Sequence, residues 1–382
     1  MAYLADTIER LLMRIEAVMA GVTPKATGGI STLVKMVVQN APEHEIDIDY
    51  VTTANQYVAN PSFFTKMKKI AVFMVGIVRI LFLLCVRGKK ILHLHMANNA
   101  SLDRSFILSR IAVRCGACIV LQIHCDLAYF YSVASKKRKR KIDYILTHSD
   151  AIIVLGSYLN NFLADSGIEN NRIELLPNAV DTPLSNPYGK RIKGHILYLG
   201  NICPEKGLND LLRALTLASP YLPNGVYVDL CGRDLMDIEK RIAEMGLGSI
   251  VRYRGTVVVN AGFFEDYILN ILPSHNEALP FSLLEASAQG VPSVATRVGA
   301  VSDVIADEIS GVLVDAGDAL AISNALIRLT TDAEARCRMS SNIYATVCER
   351  YSSQNYLLGL KNIYEKACMR KDYKNKNEHG LD

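Results

Sequence analysis

The stretch Ile271–Arg297, ILPSHNEALPFSLLEASAQGVPSVATR, constrains the fold of this chain more than any other. Two carboxylates, Glu277 and Glu285, stand eight positions apart. Between them lie a tight turn, Ala278-Leu279-Pro280, and an apolar helix start, Phe281-Ser282-Leu283. Gly290-Val291-Pro292 stops the helix, and an apolar strand, Val291–Ala295, follows. The pattern reads strand, loop, helix, turn, strand. It puts two acids and several backbone N–H groups where a strand feeds a helix N-terminus, which is where open α/β sheets take ligands. A purely structural account of Glu285 also exists. Ser282-Leu-Leu-Glu285 has the spacing of a capping box, in which Glu285 would only satisfy the Ser282 N–H.

The same α/β rhythm runs through the rest of the chain. Arg14–Gly21 reads as a strand, Pro24–Thr32 as a turn holding Gly28 and Gly29, Leu33–Gln39 as a helix, and Glu45–Val51 as an alternating strand. Further strands end at His95 and His124, and a lone histidine at such a place is more often structural than catalytic. Two at the ends of successive strands, aimed at the crevice, shift those odds. Thr182–Gly194, with two prolines and two glycines, reads as a linker. The pattern then restarts. His195–Leu199 is a strand, Gly200–Gly207 its turn, Leu208–Leu217 its helix, and Val226–Cys231 a strand ending at Gly232-Arg233. At 382 residues, two α/β domains of ordinary size are expected. The expected ranges are 1–186, 187–352, a C-terminal helix over 353–370 that returns to the first domain, and a frayed polar tail over 371–382. A helix is expected ahead of the fold, over Met1–Met13.

Composition excludes several classes. With 50% hydrophobic and 21% charged residues the chain is globular rather than disordered. A net charge of +4 is too small to mark a nucleic-acid binder. Nine scattered cysteines and acids within the first 16 residues argue for free thiols, a cytoplasmic setting and no secretory leader. Cys115-Gly-Ala-Cys118 lacks the second pair that a zinc site needs. Asp47-Ile-Asp49 looks like a metal-holding D-x-D, but strand alternation explains it without chemistry. Gly28-Gly29 lacks the third glycine of a dinucleotide fingerprint.

The mean hydropathy, +0.16, is high. Its main source is Phe63–Arg87, whose core Ile70–Val86 holds one charge, Arg79. A helix packed on the sheet is the preferred reading over an interfacial membrane helix. Lys136–Lys141 is an unbroken run of six basic residues, either a solvated helix face or a contact with anionic lipid worth about 1 kcal/mol per charge.

Several residues share one chemistry. Lys206, beside a helix start, suits a diphosphate. Glu285 can take two hydrogen bonds from vicinal hydroxyls, and Glu277 can do the same for a sugar. Such a pocket fits a nucleotide-sugar without a metal. In Gly200–Gly207, the E-x7-E of Glu277–Glu285, Gly290-Val-Pro292 and Gly311-Val-Leu-Val314, the chain resembles glycosyltransferase family 4, retaining enzymes of GT-B fold. Gly28-Gly29-Ile30, His95-Met-Ala97 with Arg104, and Ile123-His124 resemble members that build bacterial surface polysaccharides.

The resemblance implies two Rossmann-like domains facing a cleft. It implies transfer of a sugar from a UDP- or GDP-linked donor to a glycan or polyprenyl-diphosphate-linked acceptor in capsule, exopolysaccharide or O-antigen synthesis. His124, Glu277 and Lys206 would be catalytic. The donor would meet Gly28, Gly29, Asn201, Lys206, Gly232, Arg233, the run Ala278, Leu279, Pro280, Phe281, Ser282 and Leu283, and Glu285. His95 and Arg104 would face the acceptor. No metal, no cofactor and no nucleic acid are expected, and peripheral contact with the inner membrane face is. Two departures stand out: Asn201 replaces an arginine, and Ala278 a glycine, that the family usually carries. The rival functions are a sugar-nucleotide 2-epimerase of the same architecture and a silent nucleotide-sugar-binding subunit.

Overall fold

The computed structural model describes residues 14–26, 28–55, 62–190 and 194–378. The helix expected over Met1–Met13 lies outside them. The chain divides into two compact units, Met1–Pro177 with Ser353–Asp382, and Asn178–Ser352. The polar stretch read as a linker falls within the second unit, past the boundary at Pro177/Asn178.

In the first unit β1 (Ile15–Val22), β2 (Ile46–Ala54), β3 (Ile91–Met96), β4 (Cys118–Ile123), β5 (Ala151–Val154) and β6 (Ile173–Leu175) form a parallel sheet. Their order is β2-β1-β3-β4-β5-β6, so the winding reverses between β1 and β3. The two-residue strand period sends Leu92, Leu94, Ile119, Leu121 and Ile123 into one core with helices Ala100–Arg114 and Lys136–His148. His93 and Gln122 face the other side, where helix Ser353–Glu378 covers them. The Tyr364 hydroxyl meets His93 Nδ1 at 2.7 Å, and the Tyr356 hydroxyl donates to Gln122 Oε1 at 3.1 Å. The segment expected to fray beyond Arg370 instead continues that helix to Glu378. Arg370 donates to Glu174 at 2.6 Å and Lys371 lies 4.0 Å from Asp150, which ties its start to the sheet.

The bland readings of two motifs hold. Asp47 and Asp49 lie 2.8 and 3.3 Å from Lys89, which also meets Glu16 at 3.4 Å. The lysine is 8% exposed, so these acids balance a buried charge at the sheet edge. Cys115 and Cys118 diverge: Cys115 Sγ lies 3.3 Å from Cys85 Sγ, whereas Cys118 pairs with Cys368. All nine cysteines are free thiols.

The apolar segment does pack on the sheet. Ser62 caps helix Phe63–Leu81, its Oγ accepting from the Thr65 N–H at 3.2 Å, and the helix runs on as a π turn, Phe82–Val86. Gly76 presses against β2, Ile80, Leu83 and Leu84 enter the core, and the opposite face stays exposed.

In the second unit β7 (His195–Leu199), β8 (Val228–Cys231), β9 (Val251–Gly255), β10 (Tyr267–Leu272), β11 (Ser293–Thr296) and β12 (Val312–Val314) form another parallel sheet, ordered β12-β11-β10-β7-β8-β9. Counted within the unit this is the 3-2-1-4-5-6 order of dinucleotide folds, and it reverses between β7 and β10. The loops after those two strands carry Lys206 and Glu277. The segment Ala319–Met369 falls in three helices, the first two of which bury Ile322, Leu326, Leu329, Met339 and Ile343 at helical spacing.

Candidate functional site

Gly207 is the reason the two loops of the second unit meet. Its φ is +72°, and a Cβ there would fall 1.8 Å from the Pro273 carbonyl oxygen. Only glycine lets the turn Pro204–Lys206 press on the loop after β10. The His275 N–H donates to Glu205 O across that contact at 3.0 Å. Lys206 Nζ then donates to Glu277 Oε1 at 2.6 Å, and Ser274 Oγ donates to the same oxygen at 2.8 Å. Glu277 is 9% exposed. A carboxylate offers about four acceptor sites, so capacity remains for a ligand's hydroxyls.

The turn Ala278–Pro280 is tied by its carbonyls. Ala278 O accepts from the Ala300 N–H at 2.8 Å, and Leu279 O accepts from Asn178 Nδ2 at 2.8 Å. Gly299, at φ +54°, makes the first contact feasible, since a Cβ would lie 2.1 Å from Glu277 O. The helix after the turn spans Phe281–Ala288, with Pro280 at its N-cap and no side-chain cap. Its first N–H groups therefore lack intrahelical acceptors and point outward from the helix end. Leu279 and Leu283 are core side chains, so they reach a ligand only through the backbone.

Glu285 is not a capping residue. The helix starts at Phe281, so Ser282 is inside it rather than at its cap. Among the described residues no hydrogen bond or ion pair reaches Glu285, and burial pushes its carboxyl up to about 7. A half-buried carboxyl without a partner carries a cost that a ligand's hydroxyls would relieve.

Asn201 and Arg233 follow β7 and β8 as neighbours. Gly200 N–H donates to Cys231 O and Ile202 N–H to Arg233 O, each at 2.9 Å. Gly232 packs so closely that a Cβ would reach Gly200 O at 1.8 Å. The Tyr198 hydroxyl holds the turn through Asn201 O at 2.7 Å. Lys206, Glu277, Asn201, Gly232, Arg233 and Ala278–Glu285 all lie in the second unit, at or just beyond the C-terminal ends of β7, β8 and β10.

The first unit holds the remaining candidates. Gly28, at φ +127°, starts helix Gly29–Asn40 after β1, with no side-chain cap and no acid in the first turn. His95 sits on β3, on the other side of the switch point. Rather than aiming freely into a crevice, it is 7% exposed and bonds His124, Nδ1 to Nε2, at 2.8 Å. His93 stacks on His95 with centroids 4.7 Å apart. Burial lowers His95 to about 3 and pulls His124 well below the ordinary histidine range, so both rings are neutral at pH 7. The bond uses His124 Nε2 and leaves Nδ1 for a ligand. Arg104, in the helix after β3, is half-buried, makes no hydrogen bond among the described residues, and is held below its usual pKa by that burial. Among the described residues no three His, Cys, Asp or Glu side chains cluster as metal ligands do.

Residues 189–346 match the family model described as glycosyl transferases group 1. Over that stretch the chain is similar to group 1 glycosyl transferases. The matched stretch includes every second-unit residue named at this site except Asn178. A 41.2 kDa protein in the cps region of Klebsiella pneumoniae, named as uncharacterized, is 26% identical over 322 residues, 76% of this chain and 84% of that protein. CapM of Staphylococcus aureus, a capsular polysaccharide biosynthesis glycosyltransferase, is 22% identical over 266 residues, 68% of this chain and 64% of CapM. The chain spans about half the length of several other curated relatives that it matches. In fold the chain is similar to Anabaena HepE, solved in complex with UDP, at a TM-score of 0.68 and 15% identity over 92% of this chain and 99% of that one. This is the GT-B fold of glycosyltransferases.

Three contributors to the candidate site carry little or no local mark in the sequence. Ser274 was visible only as the residue after Pro273, although its spacing of three from Glu277 allows the bond it makes. Gly299 had the signal of a glycine beside a strand end. Asn178 acts across 101 positions of sequence, and nothing local marked it.

Proposed function

We propose that this chain is a retaining, metal-independent glycosyltransferase that moves a sugar from a UDP- or GDP-linked donor to a glycan or lipid-linked acceptor in capsule or related surface-polysaccharide synthesis. The observation that carries the reading is the Lys206–Glu277 pair at the switch point of the second sheet, with unpartnered Glu285 in the first turns of the intervening helix. HepE with UDP, the cps-region protein and CapM support the donor class and the polysaccharide setting.

In this reading Glu285 accepts the ribose hydroxyls, and Glu277 the hydroxyls of the transferred sugar. Lys206, Arg233 and the N–H groups at Phe281–Leu283 hold the diphosphate, with Arg233 covering the charge that Asn201 lacks. The bond from the anomeric carbon to the diphosphate oxygen breaks. The acceptor hydroxyl forms its bond on the same face, and its proton passes to the departing phosphate oxygen. Stabilising that leaving group before reaction is the main catalytic contribution. Neutral His124 offers Nδ1 to a sugar hydroxyl, and Arg104 offers a charge to an anionic acceptor. Incubating the protein with UDP- and GDP-sugars and a membrane acceptor fraction should release nucleoside diphosphate from at least one donor and leave the new linkage in the donor's anomeric configuration. No release from any donor would overturn the reading.

A further inference from the structure

The segment Phe63–Val86 presents two apolar faces, and the sheet needs only one. Gly76, Ile80, Leu83 and Leu84 are buried against β2 and the core. On the other side Phe63, Phe64, Met67, Ile70, Met74, Val75, Val78, Phe82 and Val86 are each half or more exposed. A contiguous exposed apolar surface of this kind marks an interaction site. Length and hydropathy would let the helix cross a membrane, with 22% of its apolar window buried. Topology forbids that crossing, because the helix joins β2 to β3 of one sheet and its inner face is part of that sheet's core.

Charge selects the occupant. The 24 residues contain no Asp or Glu. Lys66, Lys68, Arg79, Arg87 and Lys90 are exposed along or beside them. A groove of about 400 Å3 beside β2 is lined by Lys68 and Arg79 together with Val72 and Val75. That places cations against an apolar wall, as a phospholipid requires.

A second basic array lies on the same face of the sheet. Helix Lys136–His148 shares the core that takes Ile80, Leu83 and Leu84. Its first turns expose Lys136, Lys137, Arg138 and Arg140, Lys139 covers the Tyr131 ring at 4.8 Å, and Lys141 pairs with Asp103. Tyr129 and Val133 are exposed just before it. Helix Phe63–Leu81 follows β2 and helix Lys136–His148 follows β4, so both are entered from the edge of the parallel sheet that carries His95 and His124. A second copy of the chain would set these arrays against each other, whereas an anionic leaflet neutralises both.

We propose that the outer face of Phe63–Val86, flanked by Lys136–Arg140, docks in plane on an anionic phospholipid leaflet without spanning it. Vesicle binding needs neither donor nor acceptor, so this inference stands or falls apart from the transferase reading. The full chain should float with vesicles containing phosphatidylglycerol, not with phosphatidylcholine alone, and should be released by alkaline carbonate. The exposed-site variant Phe64→Ser/Met67→Ser/Met74→Ser, with unchanged circular dichroism and melting, should bind at least about tenfold more weakly. Lys136→Gln/Lys137→Gln/Arg138→Gln should bind about a hundredfold more weakly, at about fivefold per charge. The proposal is overturned if the protein fails to float, if the serine variant binds as well as the parent, or if carbonate does not release it. It is equally overturned if sedimentation shows a lipid-free dimer that the serine variant abolishes.

Discussion

Glu285 makes the site pH-dependent in a definite direction. Its folded pKa of about 7 lies above the ordinary 4.5, so between those values the native state holds a proton that the unfolded chain has lost. The stability this contributes is complete below 4.5 and disappears as pH rises through 7. Glu285→Gln should therefore flatten the melting temperature of the ligand-free protein across that window and raise it at pH 8, as calorimetry would show. The donor reading needs the carboxylate, so donor KM should fall as pH rises through 7 in the parent, and the variant should lose that dependence. Lys206→Met removes the cation that the proposed function assigns to the diphosphate and should lower kcat about a hundredfold or more. It also leaves Glu277, 9% exposed, with Ser274 as its remaining hydrogen-bond partner among the described residues, at a cost of about 1–3 kcal/mol in stability. At this scale the sequence marked the candidate side chains but not their state. The spacing of Ser282 and Glu285 allowed a cap as readily as a ligand, and only the helix start at Phe281 separates the two. The neutrality of His95 and His124 was equally hidden, because it comes from burial and from a bond between different strands.

Elements position these groups through close backbone contact. Gly207→Ala would put a methyl group where the Pro273 carbonyl oxygen stands, at a φ that costs a β-carbon about 1 kcal/mol before any clash. The variant should lose more than about 2 kcal/mol in denaturant melts and raise donor KM by displacing Lys206. In the first unit the back of the sheet depends on helix Ser353–Glu378. Tyr364→Phe keeps the ring and deprives buried His93 of its hydroxyl partner, which should cost about 1–3 kcal/mol by chemical denaturation. Strands and most helices were legible from periodicity, with most strand ends displaced by one or two residues, whereas β2 runs three residues past Val51 and helix Gly29–Asn40 begins four before Leu33. The C-terminal helix was legible as a helix but not in its extent. Its last turns read as a polar tail, and the contacts of Arg370 and Lys371 with Glu174 and Asp150 are long-range.

At the scale of the molecule, two sheets of different winding carry two sets of groups. The first, wound β2-β1-β3, brings Gly28, His95 and His124 to its C-terminal edge. The second, in dinucleotide order, brings Lys206, Glu277 and Glu285 to its own. Repeated strand-to-helix alternation made both sheets legible before any contact was known. The order of strands within each sheet was not legible, since it depends on crossovers that leave no local mark. Nor was the double-faced character of Phe63–Val86, because a core helix and an interfacial helix share the same composition. The central claim is that the switch point of the second sheet holds a nucleoside diphosphate. Calorimetric titration of UDP and GDP into the parent, Lys206→Met and Glu285→Gln proteins at pH 8 tests it most directly. One of the two nucleotides should bind the parent at a single site, and each substitution should weaken it by about tenfold or more. Binding of equal strength in all three proteins, or no binding to the parent, would contradict the account.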